Sequence, residues 1–152
     1  MIKIICIGKI KEKYLIDAIN EYSKRISKYS KLEIVELSDE ATDNASITLN
    51  KEKEKLLKVI NLKDYNIVLD IDGKELNSIE LSNKIDNIFT NENSNITFII
   101  GGSCGLHEDI KNLSNYKLSF SKLTFPHQLF RVLLLEQIYR SFKILNNESY
   151  HK

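Results

Sequence analysis

An α/β fold, with helices on both faces of a mainly parallel sheet of five or six strands, is what this sequence predicts. Three observations carry it: short β-branched runs alternate with segments of helical periodicity; the runs end in glycine or turn residues; and no long segment lacks a pattern. Ile2 to Ile7 is an apolar run closed by Gly8, the signature of a buried strand. Residues 12–28 place Tyr14, Leu15, Ala18, Ile19, Tyr22 and Ile26 at helical spacing. Leu32 to Leu37 alternates apolar and acidic residues, a second strand, and Asp39 to Ser46 is a polar, acidic loop. Thr48 to Ile60 is a charged helix with Leu56, Leu57 and Ile60 on one side. Tyr65 to Ile71 is a third strand, stopped by the turn signal Asp72-Gly73. Ser78 opens a helix containing Ile85 and Ile88. Ile96 to Ile100 is the most apolar strand, closed by Gly101-Gly102, and a short helix follows His107. Tyr116 to Phe120 is a weaker fifth strand. Pro126 suits the start of a helix, where its missing N–H costs nothing, and that helix runs to about Leu145.

A chain of 152 residues fits one domain, and 42% hydrophobic with 28% charged residues is the balance of a chain that folds around one core. No repeat, low-complexity tract or Gly/Pro/Ser linker divides it, so residues 1–152 are read as a single domain. No stretch approaches the roughly 20 apolar residues of a membrane span, and the apolar N-terminus is too short for a signal peptide. A cytoplasmic location follows as the expectation. Cys6 and Cys104 lie far apart with no CxxC spacing, which predicts two buried or half-buried free thiols and no zinc site. The net charge is only +1, so bulk charge names no polyanionic partner. Its distribution is less even. Residues 1–31 carry Lys3, Lys9, Lys11, Lys13, Lys24, Arg25, Lys28 and Lys31 against Glu12, Asp17 and Glu21. The end of the chain adds Lys122, Arg131, Arg140, Lys143 and Lys152 against Glu136 and Glu148. A basic face made from the two ends fits a polyanion, and a mixed-charge surface fits the same residues.

The last helix is apolar almost all round, through Leu129, Phe130, Val132, Leu133, Leu134, Leu135, Ile138, Tyr139, Phe142, Ile144 and Leu145. A surface helix leaves a wider polar stripe. Either the helix is buried on several sides within the domain, or one side packs on another subunit. A domain this small offers little room for a central helix, so an isologous homodimer is the favoured expectation.

Ligands of open α/β sheets bind beyond the carboxyl ends of the strands. Three segments stand there: Leu69 to Lys74, Ile100 to Gly105, and Phe120 to His127. Three of the five glycines, Gly101, Gly102 and Gly105, fall within five positions. The pattern GGxxG lacks a Walker lysine, so it supports either a tight turn or a main-chain pocket for a nucleoside-like ligand. His127 is a candidate acid/base group or a structural helix-start residue. Asp70 and Asp72 read as a carboxylate pair or as an ordinary Asp-Gly turn. Tyr150-His151-Lys152 reads as a frayed tail or as an RNA-binding set that stacks, moves a proton and neutralises phosphate.

The runs Ile99-Ile100-Gly101-Gly102-Ser103-Cys104-Gly105-Leu106, Leu118 to Leu129 with its Leu123-Thr124-Phe125-Pro126-His127-Gln128 core, Arg131 to Arg140, and the terminal Tyr150-His151-Lys152 resemble the RlmH family. These are ribosomal RNA large-subunit methyltransferases H of the SPOUT superfamily. Ile5 to Lys9 and Leu69 to Lys74 match as well, so the likeness spans the whole chain. It departs at Ser103-Cys104, where the family usually has a small residue followed by an acidic or polar one. The resemblance implies a SPOUT-type α/β knot, with a C-terminal trefoil knot forming the pocket for S-adenosylmethionine, and no metal. The cofactor positions would be Leu69, Gly101, Phe120, Ser121, Lys122, Leu123, Thr124 and Phe125. The implied reaction is methylation of N3 of a pseudouridine in 23S ribosomal RNA, in an intersubunit-bridge stem-loop, on the large subunit or the 70S ribosome. His151 or Tyr150 would then stand nearest the target base, with His127 lining the pocket and Arg140 or Arg131 on the RNA backbone. Two rival readings are a nucleotide-binding α/β protein that uses the glycine turn for phosphates, and a ribosome-associated factor without catalysis.

Overall fold

A computed structural model describes all 152 residues. Five parallel strands form one sheet in the order β2-β1-β4-β3-β5. They are β1 (Ile2–Ile7), β2 (Leu32–Leu37), β3 (Tyr65–Glu75), β4 (Ile96–Ile100) and β5 (Tyr116–Ser119). The helices are α1 (Lys13–Ile26), α2 (Ala45–Val59), α3 (Ser78–Asn87), which runs on into a π-helical turn over Ile88–Glu92, α4 (Glu108–Leu113) and α5 (His127–Leu145).

Strand period two divides the core into two layers. Ile2, Ile4 and Cys6 of β1, with Ile96, Phe98 and Ile100 of β4, face a cluster shared with α1, α3 and α5. Ile5, Ile7, Val68 and Ile99 face the other way, against Leu56 of α2 and Ile110 of α4. The central strands β1 and β4 are almost wholly buried, which is why they read as continuous apolar runs.

Several element ends differ from the sequence expectation, each for a local reason. The loop over Asp39 to Ser46 is shorter than expected, because Asn44 caps α2. Its side-chain oxygen accepts from the N–H groups of Ser46 (2.9 Å) and Ile47 (3.2 Å), so the helix begins at Ala45. Asn77 and Glu80 form a reciprocal capping box at the start of α3. Asp72-Gly73 does not stop β3. Leu69 and Lys74 both pair with Leu118, so residues 70–73 bulge out and the strand then resumes to Glu75. Gly73 permits this, since a Cβ there would lie 2.7 Å from the Lys117 carbonyl.

The premise for placing α5 at a subunit boundary is also corrected. The domain does have room for a central helix, because α5 lies between α1 and α3 on the sheet. Phe130, Leu134, Leu135, Ile138 and Phe142 are buried within the chain itself. Arg131 pins it there. This side chain is only 1% exposed; it donates to Glu36 Oε2 at 2.6 Å and to the carbonyls of Gly8 (2.8 Å) and Ile7 (3.3 Å). The carboxyl end of β1 and the edge strand β2 are thereby tied to the first turns of α5. Arg131 is consequently not free to meet an RNA backbone, contrary to the sequence expectation. Glu36→Ala leaves a buried cation without its half-exposed counter-charge, and is expected to cost about 1.5–3 kcal/mol in urea-unfolding free energy. An unchanged midpoint would contradict that account of α5.

Candidate active site

The carboxyl ends of β3, β4 and β5 open into one cleft of about 610 Å³, solvent at its mouth included. The end of β3 supplies Leu69, Asp70 and Ile71; the turn after β4 supplies Gly101, Gly102 and Gly105. The loop after β5 supplies Phe120, Ser121, Leu123, Thr124 and Phe125, and α5 adds His127 and Phe130. Of the expected cofactor positions only Lys122 stands apart; it is exposed and borders a shallow recess with Asp72 and Gly73.

Each wall has a local cause. A Cβ on Gly101 would overlap the Gly105 carbonyl, and Gly102 bridges to Gly105, with Gly105 N–H donating to Gly102 O at 3.0 Å. The turn is therefore a close-packed main-chain wall that a side chain would fill. The β5 loop is folded on itself: Ser119 Oγ donates to Ser121 O at 3.1 Å, and Leu123 N–H donates to Ser121 Oγ at 3.0 Å. Phe120 meets Phe130 edge-on at 4.8 Å between centroids, joining this loop to α5. Asp70 is mostly buried, pairs with Lys111 Nζ at 3.4 Å and accepts from Asp72 N–H at 3.2 Å. Asp70 and Asp72 thus shape the bulge, and the exposed Asp72 does not pair with Asp70 as a catalytic dyad.

No lysine or arginine lines the cleft. The walls are main chain, apolar side chains, a few hydroxyls and one carboxylate. A triphosphate would find no lining lysine or arginine there, whereas an adenosyl group meets apolar walls and main-chain polar groups. The donor set and the glycine cradle fit S-adenosylmethionine.

His127 is half-buried at the start of α5, its Nε2 3.3 Å from where a Gly8 Cβ would stand. Burial first, and the nearby Arg131 cation second, hold its imidazole below the usual histidine range. The tail lies elsewhere on the same helix. Tyr150 packs edge-on against Tyr139 at 5.0 Å and donates its hydroxyl to Glu136 Oε1 at 3.1 Å. Burial and that carboxylate push the phenol up to about 12, so it is a hydrogen-bond donor at neutral pH and not a base. Arg140 pairs with Glu136, lies over the Tyr150 ring at 4.7 Å, and its Nη1 is 3.1 Å from His151 Nδ1. The tail is therefore docked through Tyr150, while His151 and Lys152 are exposed. Thirteen residues of helix separate His127 from Arg140, about 20 Å along the axis. The structure brings His127 to the cleft and gathers Tyr150, His151 and Arg140 into a second cluster about Glu136, further along the same helix.

Two features were not foreseen. Cys104 is exposed on the glycine turn, and only Cys6 is buried, its thiol pushed up to about 12 by burial. Glu52 of α2 is 3% exposed directly behind the turn: a Cβ on Gly102 would lie 3.3 Å from its Oε2. That oxygen accepts from Glu40 N–H at 3.1 Å, and Oε1 has no partner. The signal was its place between Thr48 and Leu56 at helical i, i+4 spacing, masked by the charged run Lys51 to Lys55. The cations of the C-terminal segment are mostly neutralised, Arg131 by Glu36, Arg140 by Glu136 and Lys143 by Glu148. The basic character thus rests with the N-terminal segment.

An all-parallel α/β sheet with a main-chain-lined cleft at the ends of β3, β4 and β5 defines a small-ligand enzyme domain of the methyltransferase type. Residues 1–151 match the family model described as "Predicted SPOUT methyltransferase". The ribosomal RNA large subunit methyltransferase H of Clostridium botulinum (strain Alaska E43) is 59% identical over 157 aligned residues, covering 99% of both chains. The chain belongs to the SPOUT methyltransferases, in the group named ribosomal RNA large subunit methyltransferase H. Among solved structures, a probable methylase family protein from Haemophilus influenzae matches with a TM-score of 0.57 at 15% identity, covering 99% of this chain and 70% of that one. The tRNA (m1G37) methyltransferase of Aquifex aeolicus matches with a TM-score of 0.54 at 14% identity, covering 91% and 69%. At such identities these two show a shared fold. No helix is long and apolar enough to cross a membrane, and no His, Cys, Asp or Glu cluster could hold a metal.

Two pH effects follow, with opposite signs. His127 titrates lower in the folded chain than in the unfolded one. The unfolded state therefore takes up the proton first, and stability falls as pH drops below about 6.5. Melting temperatures should decline more steeply from pH 7 to 5 in wild type than in His127→Gln, and parallel curves would contradict this. For Glu52, burial raises the carboxyl, so its contribution is present below about pH 4.5 and lost as pH rises through the folded value. Glu52→Gln should therefore melt higher than wild type at pH 7.5, with the gap closing at pH 4.

Proposed function

We propose that this protein methylates N3 of a pseudouridine in 23S ribosomal RNA, within an intersubunit-bridge stem-loop of the large subunit or 70S ribosome. It would do so as a cytoplasmic homodimer that uses S-adenosylmethionine and no metal. One observation carries the reading: a cleft at the strand ends lined by a glycine turn, apolar rings and hydroxyls, with no lysine or arginine for phosphates. The same observation speaks against the nucleotide-binding alternative.

Leu69, Gly101 and the Phe120 to Phe125 loop would hold the cofactor, Lys122 contributing main chain rather than its exposed side chain. Bound there, S-adenosylmethionine supplies an electrophilic methyl group. Phe120, Phe125 and Phe130 exclude water from one side of the cleft. In this proposal the loop over 120–126 and α5 belong to a threaded C-terminal segment, the trefoil knot.

N3 of pseudouridine carries a proton that must leave before its lone pair can attack. A positioned base supplies about 10²–10⁴-fold, and placing N3 in line with the methyl group supplies more. His127 is a half-buried imidazole at the cleft, held neutral at physiological pH and able to accept a hydrogen bond there. Tyr150 and His151 are held at Glu136 and Arg140, roughly 14–20 Å along α5 from His127 in the same chain. A second subunit resolves this. The outward side of α5, with Leu129 exposed and Val132, Leu133 and Arg140 half-exposed, is the surface on which a partner would pack. A partner's tail could then complete the first subunit's cleft, with His151 next to the target base and Arg140 close to the RNA backbone.

Isothermal titration should show S-adenosylmethionine binding and no ATP binding. Mass spectrometry of large-subunit RNA from cells with and without the gene should reveal one methylated pseudouridine that depends on it. His151→Ala and a chain ending at Ser149 should each lose roughly 10²-fold or more in methyl transfer to ribosomes while keeping cofactor affinity. Full activity in both would remove the tail from the mechanism.

A further inference from the structure

Of the seven tyrosines and six phenylalanines, Tyr14 alone is exposed, at 70%. The other rings are tied in: Tyr22, Tyr29, Tyr139 and Tyr150 contact one another around α5, and Phe120, Phe125 and Phe130 meet at the cleft. Single exposed apolar residues are ordinary; what marks this one is its company. Lys9, Lys11 and Lys13 precede it, all exposed. Lys9 and Lys11 form no ion pair, and Lys13 has only a solvent-exposed one with Asp17 at 2.9 Å. Glu12 is the one acid among residues 9–14.

This segment is also anchored and well placed. Ile10 N–H donates to Glu36 Oε2 at 2.9 Å, and the charge of Glu36 is matched by Arg131. Its lysines are therefore presented on a fixed loop, without a free acid beside them other than Glu12. The segment leaves the sheet at Gly8, against His127 at the cleft wall. The sheet is all parallel, so this loop leaves β1 at the same edge from which the cleft-lining turns leave β4 and β5. A polyanion approaching the cleft along this loop meets the unpaired cations of Lys9 and Lys11.

We propose that residues 9–14 form an RNA subsite flanking the cleft. In it the Tyr14 ring stacks on an unpaired base near the target nucleotide, and Lys9 and Lys11 neutralise neighbouring phosphates. Stacking on an aromatic face tolerates any base, and phosphate contacts set register without reading sequence. The subsite positions the strand, and the cleft does the chemistry. This inference rests on the methyltransferase reading above and adds where the flanking strand lies.

The test measures binding of the purified protein to 70S ribosomes over a salt series, beside cofactor titration and mass in solution. Tyr14→Ala should weaken ribosome binding by roughly 5- to 100-fold, and Tyr14→Phe, which keeps the ring, should stay within about twofold of wild type. A Lys9→Gln, Lys11→Gln double variant should reduce the salt slope by about 1.4, two phosphates' worth for a single strand. All of these variants should keep the cofactor affinity and solution mass of wild type. Wild-type binding by Tyr14→Ala, or an unchanged salt slope in the lysine variant, overturns the proposal. So does a Tyr14→Ala protein whose weaker binding follows a change of oligomeric mass, since the ring would then be a subunit contact. Wild type that ignores S-adenosylmethionine yet binds ribosomes through Tyr14 would instead sink the methyltransferase reading and leave this subsite standing.

Discussion

Everything at the cleft depends on α5 keeping its place in the middle of one helical layer. Apolar packing against α1, α3 and the sheet supplies the energy, but packing is non-directional. Direction comes from the Arg131 guanidinium, which reaches across to the carboxyl end of β1 and to Glu36 of β2. Arg131 is one turn along from His127, and Phe130 lies beside it. The same anchor therefore fixes the imidazole, the aromatic wall and the first residues of the loop after β1 relative to one another. A buried guanidinium is expensive unless every strong acceptor stays put, so slippage of α5 by a turn is penalised well beyond the lost apolar contact.

The cleft is defined as much by what it lacks as by what it holds. Nucleotide sites built on glycine turns usually combine main-chain N–H groups with a lysine. Here the glycine turn is spent on closing against itself through Gly102 and Gly105, and no lysine or arginine lines the ligand space. The cations of the chain are placed elsewhere, in ion pairs along α5 and on the open loop after β1. This segregation suits a protein that must hold a small cation-bearing ligand inside and a polyanion outside.

Much of this was legible in the sequence. Strands show themselves where both faces are buried, as with Ile2–Ile7 and Ile96–Ile100, and Pro126 marked the start of α5. The three strand-end segments named from sequence do converge on one cleft. What sequence could not give was anything decided by a distant partner. Asp72-Gly73 has the composition of a turn, and only the Lys117 main chain beside Gly73 makes it a bulge inside a continuing strand. Arg131 reads as a surface cation until Glu36, 95 positions away, is brought to it. Glu52 is indistinguishable from its charged neighbours without knowing that Gly102 lies over it. The encirclement of α5 by apolar residues is visible in the sequence and fits either burial within the domain or a subunit contact; that α1 and α3 of the same chain absorb most of it is decided only by the packing. The separation of the tail from His127 is likewise set by helix length, and shows only once both are placed on one element.

The sheet order has a consequence for how the chain comes into being. The layer over Ile4, Cys6, Ile67 and Phe98 is completed by a helix that follows all five strands in the chain. During synthesis the strands can therefore emerge while this broad, oily surface still lacks its cover, and partly built species of that kind are prone to stick to one another. Interruption just before α5 would cost the molecule the seal of its interior.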